Sequence, residues 1–526
     1  MWQFRLLKQI RRTIMKSNLW IFLILLSAVC LFSTEKMTTA QELIPDTTAE
    51  QVPLTEESEK AKQVYTQLMH AIYLQSVGED LGAAKRIYDA LVKQVPDSAY
   101  VWYKRGQLLF YPMEDIRGAE EDTLEALKLN PSHVPANWQL AQILLRRASH
   151  AGGRNVMEAL KTAKKVIELD PNHLGAHQML ANLGYRLRDY ATAETSYKAL
   201  TRILPFEPEF HRYLGNIYRR TNKPQAAIDA YQRVVKIKPD DLEALRTLGE
   251  LYLNTGQFAE EPQTFKQILA LAPQDVIGNF GLGLAFQELA QRALMSEDGE
   301  SQDDLGDSQT LIQDAEKYLG RTIFFSKDFI NNPQNNAQRA YYKDIVIKAQ
   351  YALANVYLLF EKLEKAEETF AELLADNPEH IGAIYGIAAV YQTMGAFEKA
   401  EKYLRQTLAI EPAHEYALNA LGYLYAEQGT NLDEAEALIK RALQRSPTNG
   451  AFLDSLGWVF FKQGRFTESV TTLENANQQM PDNVEILMHL GDAYLKNGEP
   501  EKARGVWQQA QTIEPDNDEI QERLKQ

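Results

Sequence analysis

Apolar residues along the chain recur at the spacing of paired amphipathic helices. A leucine–glycine pair with an aromatic residue three positions after the glycine precedes an alanine-bearing apolar stretch, as in Leu214-Gly215, Tyr218 and Ala227. The first three positions share one face of a helix. Glycine and alanine let the second helix approach closely. Because one pair cannot bury its own apolar face, the pattern predicts an all-α fold in which helix pairs stack on one another.

Prolines mark the ends of these pairs at a regular interval, because a proline cannot continue a helix. Most are 34 or 35 residues apart: Pro96, Pro131, Pro171, Pro205, Pro239, Pro273, Pro378, Pro412, Pro447, Pro481 and Pro515. The leucine–glycine pair recurs in the same register at Leu248-Gly249, Leu421-Gly422, Leu456-Gly457 and Leu490-Gly491. Residues 60–515 thereby resemble the tetratricopeptide repeat family. The resemblance implies a right-handed superhelical solenoid of antiparallel helix pairs, with about twelve repeats.

Departures from the interval predict the organisation of the chain. The gap from Pro273 to Pro378 has room for two more units and inserted residues, among them an acidic segment at 296–308 that we expect to be solvated. The predicted regions are a signal peptide or signal anchor (1–40), a flexible tether (41–58), an N-terminal array (59–273), an irregular unit with the acidic insertion (274–346), a C-terminal array (347–515) and a capping helix (516–526).

The N-terminal segment predicts export. Residues 19–32 are apolar apart from Ser27 and follow a basic stretch. As a helix they would span roughly 21 Å, short of the ~30 Å hydrocarbon core of a bilayer. This length is typical of a signal peptide, with cleavage after Ala40. The expected location is the bacterial periplasm or envelope, and retention in the inner membrane through residues 19–32 is the alternative.

Three further features of this segment leave alternatives open. The true start is either Met1 or Met15. The pair Arg11-Arg12 resembles a twin-arginine export signal, although the strongly apolar run after it favours the general secretory route. Cys30 is a candidate lipidation site, but Ser27 and Val29 depart from the usual residues before a lipidated cysteine.

Charge and composition exclude several classes of function. The net charge is −15, and an acidic chain repels phosphate backbones, so we expect no nucleic-acid partner. The single cysteine excludes a disulfide framework. His133, His173, His380 and His414 each lie two residues after a repeat-ending proline and are predicted to be exposed turn residues. We expect no metal site at His173 and His177, no cofactor, and no catalytic residues.

The resemblance also implies where partners bind, because in this family the first helices of the pairs line a concave groove. Counting from the Leu-Gly register, one group of groove residues is basic and polar: Asn182, Arg186, Arg212, Asn216, Arg219, Arg220 and Arg246. A second group is aromatic: Phe280, Tyr351, Tyr385, Tyr416, Tyr423, Trp458 and Phe461. Arginine and asparagine suit the carboxylates and backbone of an extended peptide, and aromatic residues supply interface hot spots.

One specialised use of this groove is not expected. Some family members bind chaperone C-termini through a carboxylate clamp built on three successive repeats. Arg212 and Asn216 match its first part, but Thr247 replaces the next asparagine, and Ile277 and Gly281 replace the final basic pair. The clamp is therefore incomplete.

The sequence accordingly predicts a scaffold or adaptor that binds other proteins or peptides and aids envelope complex assembly or substrate delivery. Residues 417–460 resemble the C-terminal repeats of bacterial envelope tetratricopeptide lipoproteins. The alternative is an accessory subunit of a glycosyltransferase or protease, without catalysis of its own. The sequence does not identify the partner or the oligomeric state.

Overall fold

In the computed structural model, the described residues are 56–78, 80–151, 153–259, 261–295, 308–332 and 337–525, and they form helices without strands. The predicted leader (1–40), most of the predicted tether (41–55) and the acidic segment up to residue 307 lie outside the described residues. Within the described ranges, no helix is both long and apolar enough to cross a bilayer. The first helix begins at Glu56, slightly before the predicted start of the repeats.

The chain divides into two compact units, one ending at Lys165 and the other beginning at Val166. The first helices are α1 (Glu56–Val77), α2 (Leu81–Gln94), α3 (Ala99–Phe110), α4 (Ile116–Leu129), α5 (Val134–Ala151) and α6 (Gly153–Leu169), which contains the division. The second unit continues with α7 (Leu174–Leu187), α8 (Tyr190–Ile203), α9 (Pro208–Arg220), α10 (Pro224–Ile237), α11 (Leu242–Thr255), α12 (Pro262–Leu271), α13 (Val276–Met295), α14 (Ser308–Asn331), α15 (Arg339–Leu359), α16 (Leu363–Asp376), α17 (Ile381–Thr393), α18 (Phe397–Ile410), α19 (Glu415–Gln428), α20 (Leu432–Arg445), α21 (Gly450–Lys462), α22 (Phe466–Gln479), α23 (Val484–Lys496), α24 (Pro500–Ile513) and α25 (Asp518–Leu524).

These helices of the described residues make twelve successive pairs and a final single helix, which confirms the all-α repeat prediction. The packing follows from the residue pattern. A Cβ atom on Gly215 would lie 2.6 Å from the ring of Tyr231, so only glycine admits that aromatic residue. Phe265 of α12 packs in the same way against Gly249 and Gly281, and its ring is fully buried. The glycines therefore allow the close approach that the sequence indicated.

The turn histidines differ from the prediction, because they are half-buried helix caps rather than exposed residues. The Nδ1 atoms of His133, His173, His380 and His414 accept the backbone N–H three residues later, at 3.0–3.1 Å. These bonds satisfy an otherwise unpaired N–H at each helix start. An accepting Nδ1 carries no proton, and burial lowers the pKa of His133. The position two residues after the proline is thus a capping position.

The predicted irregular region, 274–346, contains long helices in the second unit. The helices α13, α14 and α15 have 20, 24 and 21 residues, against 13 or 14 in most others. Glu316 of α14 joins them to α16, accepting hydrogen bonds from Tyr357 at 2.9 Å, Lys362 at 3.1 Å and Lys365 at 2.8 Å. Burial alone would raise the pKa of Glu316, but these bonds lower it to about 2. One apolar core runs through this region, from Ala181 to Phe460.

Candidate functional site

The predicted basic and polar residues lie on the first helices of three successive pairs in the second unit. Arg212 of α9 forms an ion pair with Asp241 at 2.5 Å, and Arg246 of α11 does the same with Asp275 at 2.5 Å. The carboxylates of Asp241 and Asp275 also cap the starts of α11 and α13, respectively, by accepting a backbone N–H at 3.0–3.1 Å. Arg219 approaches Glu250 at 3.7 Å. These arginines therefore link consecutive repeats.

The predicted amides have a similar packing role. Asn182 accepts a hydrogen bond from the Tyr197 hydroxyl at 2.8 Å, and Asn216 accepts one from Tyr231 at 2.9 Å. Each asparagine thus positions the buried tyrosine of the following helix. The remaining two residues, Arg186 and Arg220, are exposed, and the Arg220 guanidinium lies 5.8 Å from the centroid of the Tyr185 ring.

The predicted aromatic residues fall into two environments. Tyr351 and Tyr385 are half-buried beside the capping histidines, with ring centroids 5.3 Å from His380 and 5.2 Å from His414. Tyr416 is exposed over 53% of its surface, the largest exposure in the group. These three tyrosines therefore present partly accessible rings.

The Trp458 indole is buried, which corrects the expectation that it faces a partner. Its exposed fraction is 8%, and its ring stacks between Phe461, with centroids 4.7 Å apart, and His489, at 4.1 Å. Its Nε1–H donates to Glu427 at 2.6 Å. Phe280 is likewise buried, with 6% exposed. Helix periodicity places these rings on the expected face but does not reveal the neighbours that cover them.

Tyr423 and His489 belong to a polar cluster beside this indole. The Tyr423 hydroxyl donates to Glu485 at 2.8 Å, and His489 Nδ1 lies 3.0 Å from an oxygen of Asp454. Burial would lower the pKa of His489, but the Asp454 carboxylate raises it above its usual value. Sequence reasoning missed Asp454, Glu485 and His489. The available signal was the spacing of Glu485 and His489, which are one helical turn apart on α23.

A cavity of about 800 Å³ lies between α11, α13 and α15. Its apolar wall comes from all three helices: Leu253, Ile277, Phe280, Leu284, Ile345 and Ala352, with Phe258 from the turn after α11. Phe280 and Tyr351 are the members of the predicted aromatic group that line it, and the cavity rim includes Glu250, the partner of Arg219. The cavity thus lies where the basic and the aromatic groups meet.

The rim of this cavity is polar and rich in amides. Asn254, Gln287, Gln291 and Asn355 line it, and the Tyr341 hydroxyl donates to Glu250 at 3.2 Å. Amide side chains can both donate to and accept from a peptide backbone. An apolar base with a few polar groups is typical of a ligand pocket. Sequence reasoning missed the part of this wall that α15 contributes, because α15 lies in the region where the repeat interval is interrupted.

Comparison with known proteins identifies the repeats. Tetratricopeptide repeat profiles match residues 149–208, 178–241, 212–276, 357–422 and 460–526. Similar solved structures include the APC/C hetero-tetramer Cut9-Hcn1, at 12% identity over 90% of this chain and 85% of that chain, with a TM-score of 0.41. MamA from Desulfovibrio magneticus RS-1 is 14% identical over 33% of this chain and 97% of its own, with a TM-score of 0.29. Naa15/Naa10 bound to HypK-THB is 11% identical over 88% of this chain and 95% of that chain, with a TM-score of 0.29. No curated protein matches the chain significantly.

Proposed function

Because the chain is a tetratricopeptide repeat protein, we propose that it is an exported adaptor that holds a partner protein at the cavity between α11, α13 and α15. The cavity is the observation on which the proposal rests, since its apolar wall and polar rim form one continuous pocket. The adaptor aids assembly of envelope complexes or delivery of a substrate to another protein. In this proposal the chain performs no catalysis of its own.

The chemistry of the cavity favours a peptide with one large apolar side chain. That side chain would fill the space over Leu253, Leu284 and Ile345, while the amides of the rim hydrogen-bond the peptide backbone. The charged rim residues are already paired: Lys348 contacts Asp344 at 2.7 Å, and Arg292 contacts Glu288. Apolar contact and backbone hydrogen bonds would therefore contribute more to binding than net charge.

Replacing Leu284 with arginine is expected to reduce partner capture at least about tenfold. Leu284 is half-buried in the cavity wall, and a guanidinium there would have to be desolvated when the partner binds. The measurement is affinity capture from envelope extract, with quantification of each protein that the wild type retains. Matching thermal unfolding of wild type and variant would show that the repeats remain folded.

The matched control is Leu271→Arg. Leu271 is 47% exposed at the end of α12 and does not line the cavity, so this variant should capture the same partners as the wild type. Equal capture by wild type, Leu284→Arg and Leu271→Arg would refute the cavity as the binding site.

Export makes a separate prediction about the mature N-terminus. If residues 1–40 are a cleaved signal peptide, the protein purified from its native cells should begin at Gln41, as read by N-terminal sequencing. A start at Met1 or Met15 in membrane-bound protein would instead support a retained anchor. Unprocessed protein recovered from the cytosol would contradict export by either route.

A further inference from the structure

Among the described residues, Asp454 differs from the other buried aspartates in its ion-pair partner. Asp122, Asp241 and Asp275 each form an ion pair with an arginine, at 2.6 Å, 2.5 Å and 2.5 Å. Asp454 is 5% exposed, and it pairs with His489 instead. A buried carboxylate is costly unless a cation or several hydrogen bonds compensate it. The helix pairs around Asp454 therefore use a different form of charge compensation.

The surroundings of Asp454 contain more negative than positive charge. Glu485 accepts from the neutral hydroxyl of Tyr423, and Glu427 accepts from the neutral indole of Trp458. Within the described part of the chain, no lysine or arginine forms an ion pair with any of these three carboxylates. Lys462 contacts the face of the Trp458 ring instead, at 4.7 Å from its centroid. With His489 protonated, these three carboxylates and the imidazolium would still carry a net charge of −2, of which the exposed Glu427 and Glu485 are solvated by water.

The same groups have the geometry of a metal-ligand set. Glu485 and His489 lie one turn apart on α23, and Asp454 faces them from α21. One ligand atom from each lies within 4.8 Å of the others. In a tetrahedral site, atoms bound to one Zn²⁺ at about 2.1 Å lie roughly 3.4 Å apart. Binding would therefore draw the three ligand atoms closer together, and the side chain of Glu485, which is exposed, is the one with space to rotate.

We propose that Asp454, Glu485 and His489 form a binding site for a divalent metal ion such as Zn²⁺. His489 would bind through Nδ1, the nitrogen that faces Asp454 at 3.0 Å and 3.1 Å. One imidazole and two carboxylates suit Zn²⁺ as ligands. The Tyr423 hydroxyl that donates to Glu485 and the Trp458 ring that stacks on His489 would help to orient these two ligands, as groups that contact metal ligands commonly do.

The site also has room for further ligands. A cavity of about 260 Å³ adjoins it, lined among others by Tyr423, Asp454, Ser455 and Glu485. Three protein ligands leave one coordination position of a tetrahedral ion for water or for a donor from another molecule. The proposed metal would join α21 to α23, and so couple two successive repeats through a single ion.

Zinc titration of the purified full chain tests the proposal. After removal of metal with a chelator, the wild type should bind Zn²⁺ at this site in equilibrium dialysis. Asp454→Asn and His489→Gln should each weaken that binding more than about 100-fold, since loss of a group that only orients a metal ligand already costs about 10–100-fold. Zn²⁺ should also raise the thermal unfolding temperature of the wild type and not that of either variant.

His177→Gln is the matched control, because His177 is also buried and its Nε2 lies 2.9 Å from the Pro171 carbonyl oxygen, outside the carboxylate cluster. It should bind Zn²⁺ as the wild type does. Glu485→Gln changes an exposed side chain and tests the site even if the two buried substitutions unfold the protein. Absence of Zn²⁺ binding by the wild type, or equal binding by the wild type and the folded site variants, would overturn the proposal.

Discussion

Phe265→Ala is expected to lower the free energy of unfolding of the second unit by about 3–5 kcal/mol. The Phe265 ring has no exposed surface, and it packs against Gly249 of α11 and Gly281 of α13. Neither glycine has a side chain that could fill the space left by the ring. The substitution therefore removes apolar burial and creates a cavity, and both effects destabilise the fold.

The loss should spread beyond α12, because each repeat is stabilised mainly by its neighbours. Phe265 and Ile277, which lines the cavity between α11, α13 and α15, both approach Gly249. We therefore expect Phe265→Ala to weaken partner capture as well as stability. Chemical denaturation followed by circular dichroism measures the stability change, and the shift in midpoint at constant slope gives its size.

Phe206→Ala is the control for this prediction. Phe206 lies in the turn after α8 with 83% of its surface exposed, so its removal should change stability by no more than about 0.5 kcal/mol. Similar midpoint shifts for the two variants would contradict the packing described for Phe265.

The helix pairs were predictable from sequence because each depends on local features that recur. Leucine, glycine and an aromatic residue fix the packed face, and proline fixes the end of the second helix. The interval from Pro205 to Pro239 therefore marks one pair directly, and the structure contains α9 and α10 there. The longer α14 and α15 follow inserted residues, for which the repeat pattern provides no register.

The details of the candidate site were less predictable, because they depend on contacts between repeats. Arg212 reaches Asp241 and Arg246 reaches Asp275, in each case 29 residues along the chain. The sequence shows an arginine on a helix face, but its partner is visible only when two repeats are stacked. Burial of Trp458 by His489, 31 residues later, escaped prediction for the same reason.

Arg105→Met is expected to destabilise the first unit by about 3–5 kcal/mol at neutral pH. Arg105 forms two hydrogen bonds with Asp122, from Nε at 2.7 Å and from Nη2 at 2.6 Å, and a third with Asp89 at 3.1 Å. The Asp122 side chain is 5% exposed and that of Arg105 is 18% exposed. Methionine keeps much of the side-chain volume but leaves the Asp122 carboxylate buried without a cation.

The size of this loss should depend on pH in a direction that follows from the Asp122 pKa. Burial already raises that pKa in the wild type, and removal of Arg105 would raise it further. A carboxyl group with a raised folded-state pKa opposes folding in its charged form. The stability lost by Arg105→Met is therefore greatest above the folded-state pKa of Asp122 in the variant. This loss shrinks as the pH falls toward the unfolded-state pKa of about 3.9. Denaturation at pH 7 and pH 4.5 measures this difference.

A double variant separates the charge from the packing. Asp122→Leu in the Arg105→Met background removes the unpaired carboxylate, and apolar replacement of both members of a buried ion pair is often neutral or stabilising. Asp89 remains half-exposed in that variant, so water can solvate it. We expect the double variant to recover most of the stability lost by Arg105→Met and to lose its pH dependence. A double variant as unstable as Arg105→Met at pH 7 would show that the arginine acts through packing, and that the buried charge of Asp122 is not what makes Arg105 necessary.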